Sequence, residues 1–383
     1  MRLPRLYAIT DRSVSGIEDH AEIAVRLLRA GVRLIQIREK AMSDGALLTQ
    51  VEAASAAARG HGGRTRLLVN DRADIARITG LGVHLGEEDL PAQDARTLLG
   101  AEALIGVSTH DIEAARVAFV EPFSDYVAFG PVFRSGTKGG REALGLEALS
   151  RVAESRSKPL VAVGGVTPER LDAVLDAGAD SAAMVRGLLD GGSIEENTRR
   201  ALDRVRRRDL AGRIYLVGFM GSGKTVLGRR IAERLDVPFV DLDAEIERTS
   251  GMTIRALFES AGETVFRERE ALFLQATDSL PRAVVATGGG CYVREENRER
   301  VQRLGASVFL DVPFPVILAR LSGKRDRPLF ESVEQAAALF AARGPLYKMG
   351  SVRVDLSEGE EIEEAADRVL NALSDAHEAA PLT

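Results

Sequence analysis

One octapeptide limits the fold of this chain more than any other feature. Residues 218–225 read GFMGSGKT and match the phosphate-binding pattern GxxxxGK[ST]. The octapeptide follows the apolar run RIYLV and precedes the amphipathic stretch TVLGRRIAERL, so it predicts a strand, a glycine-rich loop and a helix. Backbone N–H groups of such a loop converge on phosphate oxygens. We expect Thr225 to hold Mg²⁺. We expect the loop to bind the phosphates of a nucleotide through Gly221, Ser222, Gly223, Lys224 and Thr225.

The N-terminal half has a different rhythm, in which eight short apolar runs alternate with helical stretches. Strands that are apolar on both faces and alternate with helices indicate a parallel sheet covered by helices. Eight such units in roughly 200 residues favour a (β/α)8 TIM barrel over the alternative, an open doubly wound sheet. The predicted strands are 6–11, 33–39, 66–71, 82–86, 103–109, 126–130, 159–165 and 181–187.

The chain has 383 residues, which predicts two to three domains. We place a barrel at 1–208 and a P-loop domain with a five-stranded parallel sheet at 212–383, both of the α/β class. A net charge of −6 gives no support for nucleic-acid binding. The single cysteine, Cys291, excludes an intrachain disulfide framework and a thiolate metal cluster. The sequence shows neither a signal peptide nor an apolar run long enough to cross a membrane, so we expect a cytoplasmic protein.

The residues that follow the phosphate-binding loop narrow the chemistry of the second domain. In FVDLDAEIE, Asp241 and Asp243 end the second predicted strand. Residues i and i+2 share one face of a strand, so both carboxylates are expected to point into one site. Adjacent carboxylates suit Mg²⁺ coordination and contacts to substrate hydroxyls. The strand AVVATGGG then ends in three glycines, where a ligand can approach the backbone closely.

As an ordered set with ETVFRERE, LSGKRDRPLF and AARGPLY, these motifs resemble the shikimate kinase family over about residues 213–374. The resemblance implies ATP as co-substrate and Mg²⁺ held by Thr225 and Asp241. It implies that Lys224, Asp243 and Arg327 are catalytic, and that Arg320 and Arg327 also contact ATP. Shikimate would be bound by Asp243, Arg267, Gly289, Gly290 and Arg343. The alternative is a kinase for another small polar metabolite, such as gluconate.

In the first domain we read the positions at the carboxyl ends of the predicted strands, because the chemistry of a barrel lies there. Alternation along the second strand puts Gln36, Arg38 and Lys40 on one face and brings two cations to the barrel mouth. Asp71 and Asp89 supply oxygen ligands suited to Mg²⁺. Cations beside a divalent-ion site, without an obvious nucleophile, indicate chemistry on a diphosphate ester.

The strings YAITD, GVRLIQIREK, VNDRADIA, GVHLGEEDLP, IGVSTH, YVAFGPVF, TKGG and VAVGGV resemble thiamine phosphate synthase, over about residues 3–205. The family joins hydroxymethylpyrimidine diphosphate to thiazole phosphate. The resemblance implies that Asp71 and Asp89 hold Mg²⁺ and that Lys138 is catalytic. It implies pyrimidine diphosphate binding by Gln36, Arg38, Lys40, Asn70, Ser108 and Lys138. It implies thiazole phosphate binding by Ser135, Thr137, Gly165, Val185 and Arg186.

The sequence departs from the family pattern in three places, one of which is Glu87, where glutamine is common. Arg134-Ser135 replaces the usual proline–threonine, and Arg186 stands where a small serine is usual in the phosphate loop. Arg186 could add a charge-assisted phosphate contact or could crowd the site. The alternatives for this domain are a thiazole tautomerase, which handles no diphosphate, and a non-catalytic scaffold.

Overall fold

The computed structural model describes residues 2–61, 64–134, 142–210, 212–321 and 332–379. The chain divides into two compact units, Met1–Val205 and Arg206–Thr383. Each unit is built on parallel strands with helices between them. Among the described residues, no helix is both long and apolar enough to cross a membrane.

The first unit is a closed barrel of eight parallel strands in sequence order, and β8 pairs with β1 through Ala183 and Tyr7. The prediction of a (β/α)8 barrel is therefore confirmed. The strands are β1 (Leu6–Ile9), β2 (Leu34–Ile37), β3 (Arg66–Asn70), β4 (Gly82–Leu85), β5 (Ile105–Thr109), β6 (Tyr126–Phe129), β7 (Leu160–Ala162) and β8 (Ser181–Met184).

Helices follow the strands and cover the outside of the barrel. Aspartate side chains cap several of them; Asp111, for example, accepts a hydrogen bond from the Ala114 backbone at the start of α6. The helices are α1 (Arg12–Ser15), α2 (His20–Arg29), α3 (Asp44–Gly60), α4 (Ala73–Thr79), α5 (Ala92–Leu99), α6 (Ile112–Val120), α7 (Gly145–Glu154), α8 (Leu171–Asp176), α9 (Arg186–Leu189) and α10 (Ile194–Asp209).

Side-chain alternation divides the barrel's core into two layers. On β1, Leu6 and Ala8 join the large apolar cluster between strands and helices, whereas Tyr7 and Ile9 join a separate cluster inside the barrel. Every strand is therefore buried on both faces, as expected for a parallel barrel. The inward positions also carry polar side chains, and these lead up to the carboxyl ends of the strands.

Most predicted strands extend past the observed strands, and the last two do so by three residues each at the carboxyl end. The strand predicted at 159–165 ends at Ala162, because Gly164 and Gly165 adopt φ values of 95° and 64°, outside the β region. The strand predicted at 181–187 ends at Met184, because Arg186 begins the short helix α9. Gly165 therefore lies in the loop after β7, and Arg186 lies at the start of α9, instead of on the predicted strands.

The second unit contains a five-stranded parallel sheet in the order β10-β11-β9-β12-β13, which confirms the predicted sheet. Its strands are β9 (Arg213–Val217), β10 (Phe239–Asp241), β11 (Ala283–Ala286), β12 (Gly305–Asp311) and β13 (Val352–Asp355). Its helices are α11 (Lys224–Leu235), α12 (Leu242–Ser250), α13 (Ile254–Ala276), α14 (Glu295–Leu304), α15 (Phe314–Leu321), α16 (Val333–Tyr347) and α17 (Ile362–Ala379).

The phosphate-binding loop joins the central strand β9 to α11. Gly221 and Gly223 adopt φ values of 76° and 96°, a backbone conformation that glycine reaches without a steric penalty. Gly223 is the N-cap residue of α11, so the chain enters the helix directly from this turn. The loop therefore sits at the carboxyl end of β9, with the helix N-terminus facing it.

Candidate active sites

At the barrel mouth, Asp71 and Asp89 bring two carboxylates together. Asp71 follows β3 with a φ of 64°, unusual for a residue other than glycine, and its backbone N–H donates to the His84 carbonyl at 2.8 Å. Burial, followed by the neighbouring Asp89 carboxylate, raises the pKa of the Asp71 carboxyl to about 6, against the opposing effects of Lys40 and Asn70. Two adjacent acceptors in a partly buried site fit a divalent cation.

The Asp71–Asp89 pair is held from two sides. The backbone N–H of Gly86 donates to Asp89 Oδ2 at 2.6 Å, which fixes the loop after β4. Lys40 Nζ lies 3.8 Å from Asp71 Oδ2 on the other side. No group of three or more His, Cys, Asp or Glu side chains converges within the described ranges.

A buried brace positions the turn that carries Arg38 and Lys40. Glu39 accepts hydrogen bonds from the backbone N–H groups of Lys40 and Ala41 at 2.7 and 2.6 Å. Its other oxygen lies 3.0 Å from Nε2 of the fully buried His20, whose Nδ1 lies 2.8 Å from the Thr10 hydroxyl. The Thr10 oxygen in turn accepts from the Arg38 N–H at 3.1 Å.

The charge of Glu39 is stable in this brace. Burial alone would raise its pKa, but hydrogen bonds from Ala41, Arg12, His20 and Lys40 lower the pKa to about 2. Although Thr10, His20 and Glu39 are aligned like a catalytic triad, the Thr10 side chain is fully buried, so the arrangement supports the turn and offers no nucleophile.

The guanidinium of Arg38 is anchored separately. Its Nη1 donates to Asp11 Oδ2 at 2.8 Å, and the side chain is 18% exposed, whereas that of Lys40 is 62% exposed. β2 ends at Ile37, so the predicted placement of Arg38 and Lys40 on one face of that strand is wrong. Both cations lie in the turn after β2, and only Lys40 extends toward solvent. Asn70 ends β3 and Ser108 lies one residue before the end of β5, and both are buried there, as Gln36 is on β2.

The loops after β7 and β8 form the region predicted for thiazole phosphate. A Cβ at Gly165 would lie 2.6 Å from the Arg134 carbonyl oxygen, so the loops after β6 and β7 touch here through backbone atoms. Arg170 holds this contact by donating to the Gly165 carbonyl at 2.8 Å and stacking over Phe133 at 4.5 Å.

Arg186, the residue that departs from the family pattern, lies on the same side of the barrel. It directly follows Val185 and begins α9, where its Nη1 donates to Asp190 Oδ2 at 3.0 Å. Both side chains are about half exposed, at 53% and 52%. The arginine thus pairs with the exposed residue that directly follows α9.

In the second unit the phosphate-binding loop closes around Lys224. Its Nζ donates to the carbonyls of Gly218 and Phe219, both at 2.8 Å. Beside it, the Thr225 hydroxyl donates to Asp241 Oδ2 at 2.6 Å. Two oxygens from different elements meet here, which fits the predicted Mg²⁺ ligands. Together these residues line a cavity of about 490 Å³ that Asp243 and Arg320 also border.

The predicted placement of Asp243 on a strand is wrong. β10 ends at Asp241, whose side chain caps α12 by accepting from the backbone N–H of Asp243 at 3.1 Å. Asp243 thus lies in the first turn of a helix, because a capping aspartate ends the strand. Both carboxylates still reach the same cavity, by strand end and helix start instead of by alternation.

Gly288, Gly289 and Gly290 are surrounded by charged side chains. A Cβ at Gly290 would lie 2.3 Å from the Arg267 guanidinium, and one at Gly288 would lie 2.7 Å from Asp243 Oδ1. Arg343 donates to the Gly289 carbonyl at 3.1 Å, and Tyr347 donates to the same oxygen. Gly288 and Gly290 leave space for these charged groups, and the predicted substrate ligands converge on the three glycines. Arg320 lies apart, 3.3 Å from the Gly221 carbonyl.

Sequence reasoning missed Glu270. This side chain is fully buried on α13, accepts from Arg267 at 2.9 Å, and places its other oxygen against Gly288, where the structure gives that oxygen no hydrogen-bond donor. Burial foremost, and the Asp243 charge, raise the pKa of Glu270 to about 7, against the effect of Arg267. The i, i+3 spacing from Arg267 on a predicted helix was the available signal.

Four predicted site residues lie outside the described residues. Ser135, Thr137 and Lys138 fall in the stretch 135–141, and Arg327 falls in the stretch 322–331. The roles assigned to them in the thiazole phosphate, diphosphate and ATP sites therefore stay predictions.

Two family models match the chain. The model described as thiamine monophosphate synthase matches residues 6–188, and the model described as shikimate kinase matches residues 220–374. The thiamine-phosphate synthase of Koribacter versatilis is 40% identical over 195 residues, which is 49% of this chain and 90% of that protein. The shikimate kinase of Ruegeria pomeroyi is 41% identical over 165 residues, which is 42% of this chain and 84% of that protein.

Solved structures match in the same two places. A thiamine phosphate pyrophosphorylase from Pyrococcus furiosus is 28% identical and covers 51% of this chain and 93% of its own, with a TM-score of 0.47. A shikimate kinase from Acinetobacter baumannii in complex with shikimate is 34% identical and covers 45% of this chain and 97% of its own, with a TM-score of 0.42.

The buried Glu270 predicts a specific pH dependence of stability. An unfolded glutamate titrates near 4.5, whereas the folded pKa is about 7, so the folded state keeps a proton that the unfolded state loses between these values. Stability of the second unit should therefore fall by on the order of 2 kcal/mol as pH rises from 4.5 to 7. Thermal unfolding of Glu270→Gln across this range should lack that component.

The control for this prediction is Glu263→Gln. Glu263 also binds Arg267, at 3.1 Å, but its side chain is 59% exposed, so this variant should keep the wild-type pH dependence. Parallel stability profiles for wild type and Glu270→Gln would contradict the burial argument.

The relatives at 40% and 41% identity, each covered over more than four fifths of its length, settle the family of both units. This chain belongs to the thiamine-phosphate synthase family through its first unit and to the shikimate kinase family through its second.

Proposed function

We propose that each unit is a complete enzyme and that the chain is bifunctional. The barrel joins hydroxymethylpyrimidine diphosphate to thiazole phosphate, giving thiamine phosphate and pyrophosphate. The P-loop unit transfers the γ-phosphoryl group of ATP to the 3-hydroxyl of shikimate. The partners are small molecules in both reactions, and the functional boundaries lie near residues 208 and 212.

The observation that carries the barrel assignment is the adjacent pair of carboxylates, Asp71 and Asp89, beside Lys40. A tautomerase that handles no diphosphate has no use for a divalent-ion site flanked by cations. Asp71 and Asp89 would hold Mg²⁺, which would neutralise charge on the diphosphate leaving group. Lys40 and Arg38 add positive charge at the same mouth.

In the proposed reaction, the barrel residues assist the cleavage of one C–O bond and the formation of one C–N bond. The C–O bond between the pyrimidine methylene and the diphosphate breaks, and its electron pair leaves with pyrophosphate. The thiazole nitrogen supplies the pair that forms the new C–N bond. Arg38, Lys40 and the Ser108 hydroxyl contact the leaving group as its charge develops, and the loops at Gly165 and 185–187 hold the thiazole phosphate.

The observation that carries the kinase assignment is the convergence of Arg267 and Arg343 on the three glycines next to Asp243. Two guanidinium groups at one backbone turn fit a small carboxylate, since each presents a planar fork of donors. An aspartate beside them fits substrate hydroxyls. Shikimate, which carries one carboxylate and three hydroxyls, has this combination of groups.

Phosphoryl transfer requires mainly positioning and charge neutralisation. Lys224 and the N–H groups of the loop bind the β- and γ-phosphates, and Thr225 and Asp241 would hold Mg²⁺, which would neutralise phosphate charge. Asp243 accepts the proton of the attacking substrate hydroxyl as the oxygen of that hydroxyl bonds to the γ-phosphorus. The bond from the γ-phosphorus to the β–γ bridging oxygen breaks, and its electron pair leaves with ADP. Glu270 holds Arg267 in place for the substrate carboxylate.

Replacing Asp71 with Asn should lower thiamine phosphate formation at least about a hundredfold, because the cation at the diphosphate loses one of its two protein carboxylates. Pyrophosphate release with both substrates and Mg²⁺ measures the rate. Asp74→Asn is the matched control, since Asp74 is exposed and its carboxylate pairs with Arg72. Equal rates for wild type and Asp71→Asn would refute the metal assignment, and an inactive wild type would move the barrel to tautomerase or scaffold.

Replacing Lys224 with Ala should abolish measurable shikimate phosphorylation, because the transferred phosphoryl group loses its positioned cation. Coupled detection of ADP follows this rate, with the exposed Lys348→Ala as the control. Thiamine phosphate formation by the same Lys224→Ala sample should equal that of wild type. Loss of both activities from this one change would contradict the assignment of each reaction to its own unit.

A further inference from the structure

A continuous chain of hydrogen bonds crosses the interior of the barrel and joins two of the proposed substrate ligands. Gln36 Nε2 donates to the Tyr7 hydroxyl at 2.7 Å, and the two tyrosine hydroxyls, Tyr7 and Tyr126, lie 3.0 Å apart. The Tyr126 hydroxyl lies 2.8 Å from His84 Nδ1, and His84 Nε2 lies 2.9 Å from the Ser108 hydroxyl. We call these five residues the interior relay.

The relay is buried over its whole length. Its members come from β2, β1, β6, β4 and β5, and none of them is more than 9% exposed. The His84 and Tyr126 rings stack at 5.6 Å, and Gly106 provides the space, because a Cβ at that position would lie 1.9 Å from the Tyr126 ring. In such surroundings each hydrogen-bond donor needs an acceptor, so the relay has a defined direction.

The direction follows from counting protons. The Tyr7 hydroxyl oxygen accepts a hydrogen bond from the Gln36 amide. The acceptor within the relay for the Tyr7 hydroxyl proton is then the Tyr126 oxygen. The Tyr126 proton then goes to His84 Nδ1, which must be unprotonated. Burial raises the pKa of both tyrosines, so both hydroxyls keep their protons for these bonds.

The consequence falls on Ser108. With Nδ1 of His84 accepting, the ring proton sits on Nε2 and donates to the Ser108 oxygen. The proton of the Ser108 hydroxyl is then not used by the relay. At the other end of the relay, the Gln36 amide nitrogen donates to Tyr7, and the amide oxygen remains as an acceptor. The reversed relay would present a Ser108 lone pair and a Gln36 donor instead.

We infer that Tyr7, Tyr126 and His84 are positioning residues of the synthase reaction, which fix Ser108 as a hydrogen-bond donor to the diphosphate and Gln36 as an acceptor for the pyrimidine. This inference rests on the proposed function of the barrel. Donor direction matters there, because a donor stabilises the negative charge that develops on the departing diphosphate and a lone pair would repel it. Of the five relay residues, only the two ends, Gln36 and Ser108, contact substrate in this proposal, and the other three act through them.

The first test reads the proton position directly and needs no activity. In the full chain labelled with ¹⁵N-histidine, the His84 signals are assigned by their loss in His84→Gln. The relay requires the Nε2–H tautomer, in which Nδ1 has the chemical shift of an unprotonated nitrogen. An Nδ1–H tautomer in the wild-type chain would overturn the inference, whether or not the barrel is active.

The second test is a double-mutant cycle on the rate of thiamine phosphate formation. Tyr126→Phe keeps the ring and removes the proton donated to His84, and it should lower kcat roughly tenfold. Ser108→Ala should lower kcat at least as much. In the double variant, Tyr126→Phe should cause no further loss, because it acts through the Ser108 hydroxyl.

The control is Tyr215→Phe, which removes a buried tyrosine hydroxyl in the other unit, 3.2 Å from Thr277, and should leave the synthase rate unchanged. Equal losses from Tyr126→Phe with and without Ser108 would mean a structural role only and would overturn the inference.

If Tyr126→Phe does not fold, Tyr7→Phe replaces it in the histidine spectrum, where the Nε2–H tautomer should persist because Tyr126 still donates to His84. An inactive wild-type barrel would refute the proposed function but not the tautomer.

Discussion

The burial of every barrel strand on both faces is the constraint on which the first active site depends. Because side chains alternate, a strand that packs every second side chain against the helices must place the others inside the barrel. The inward side chains nearest the carboxyl end of each strand lie at the mouth. Asn70, His84 and Ser108 occupy such positions on three neighbouring strands. The P-loop unit uses the same principle differently: the central strand ends in a glycine loop, and the reactive side chains come from helix starts around it.

Both sites contain buried or half-buried charge that the protein alone compensates incompletely. The pKa of Asp71 is raised to about 6 and that of Glu270 to about 7, in each case first by burial and then by a second carboxylate nearby. Such groups cost stability in the folded protein and persist where binding or catalysis requires them. In the barrel we expect a divalent cation to compensate this charge. In the kinase the arginines around the glycines offset the effect of burial on Glu270 only in part.

The sequence was sufficient for both folds because their signals are local. Eight strand–helix units and one glycine loop follow from periodicity and spacing, and the errors were at the ends, where Gly164, Gly165 and Arg186 leave the β region. Asp243 was assigned to the right cavity through the wrong element, since a capping aspartate cannot be told from a strand end by alternation alone. Long-range partnerships were not predictable: Tyr7 and Tyr126 are 119 residues apart and meet only when the barrel closes.

We propose that one chain holds two complete and independent active sites. A single purified sample with Mg²⁺ tests this proposal: the formation of thiamine phosphate and of shikimate phosphate is measured, first with each substrate pair alone and then with all four substrates together. We expect both products to form, and neither rate to change when the other substrate pair is added. Absence of one product, or strong inhibition of one reaction by the substrates of the other, would contradict the proposal.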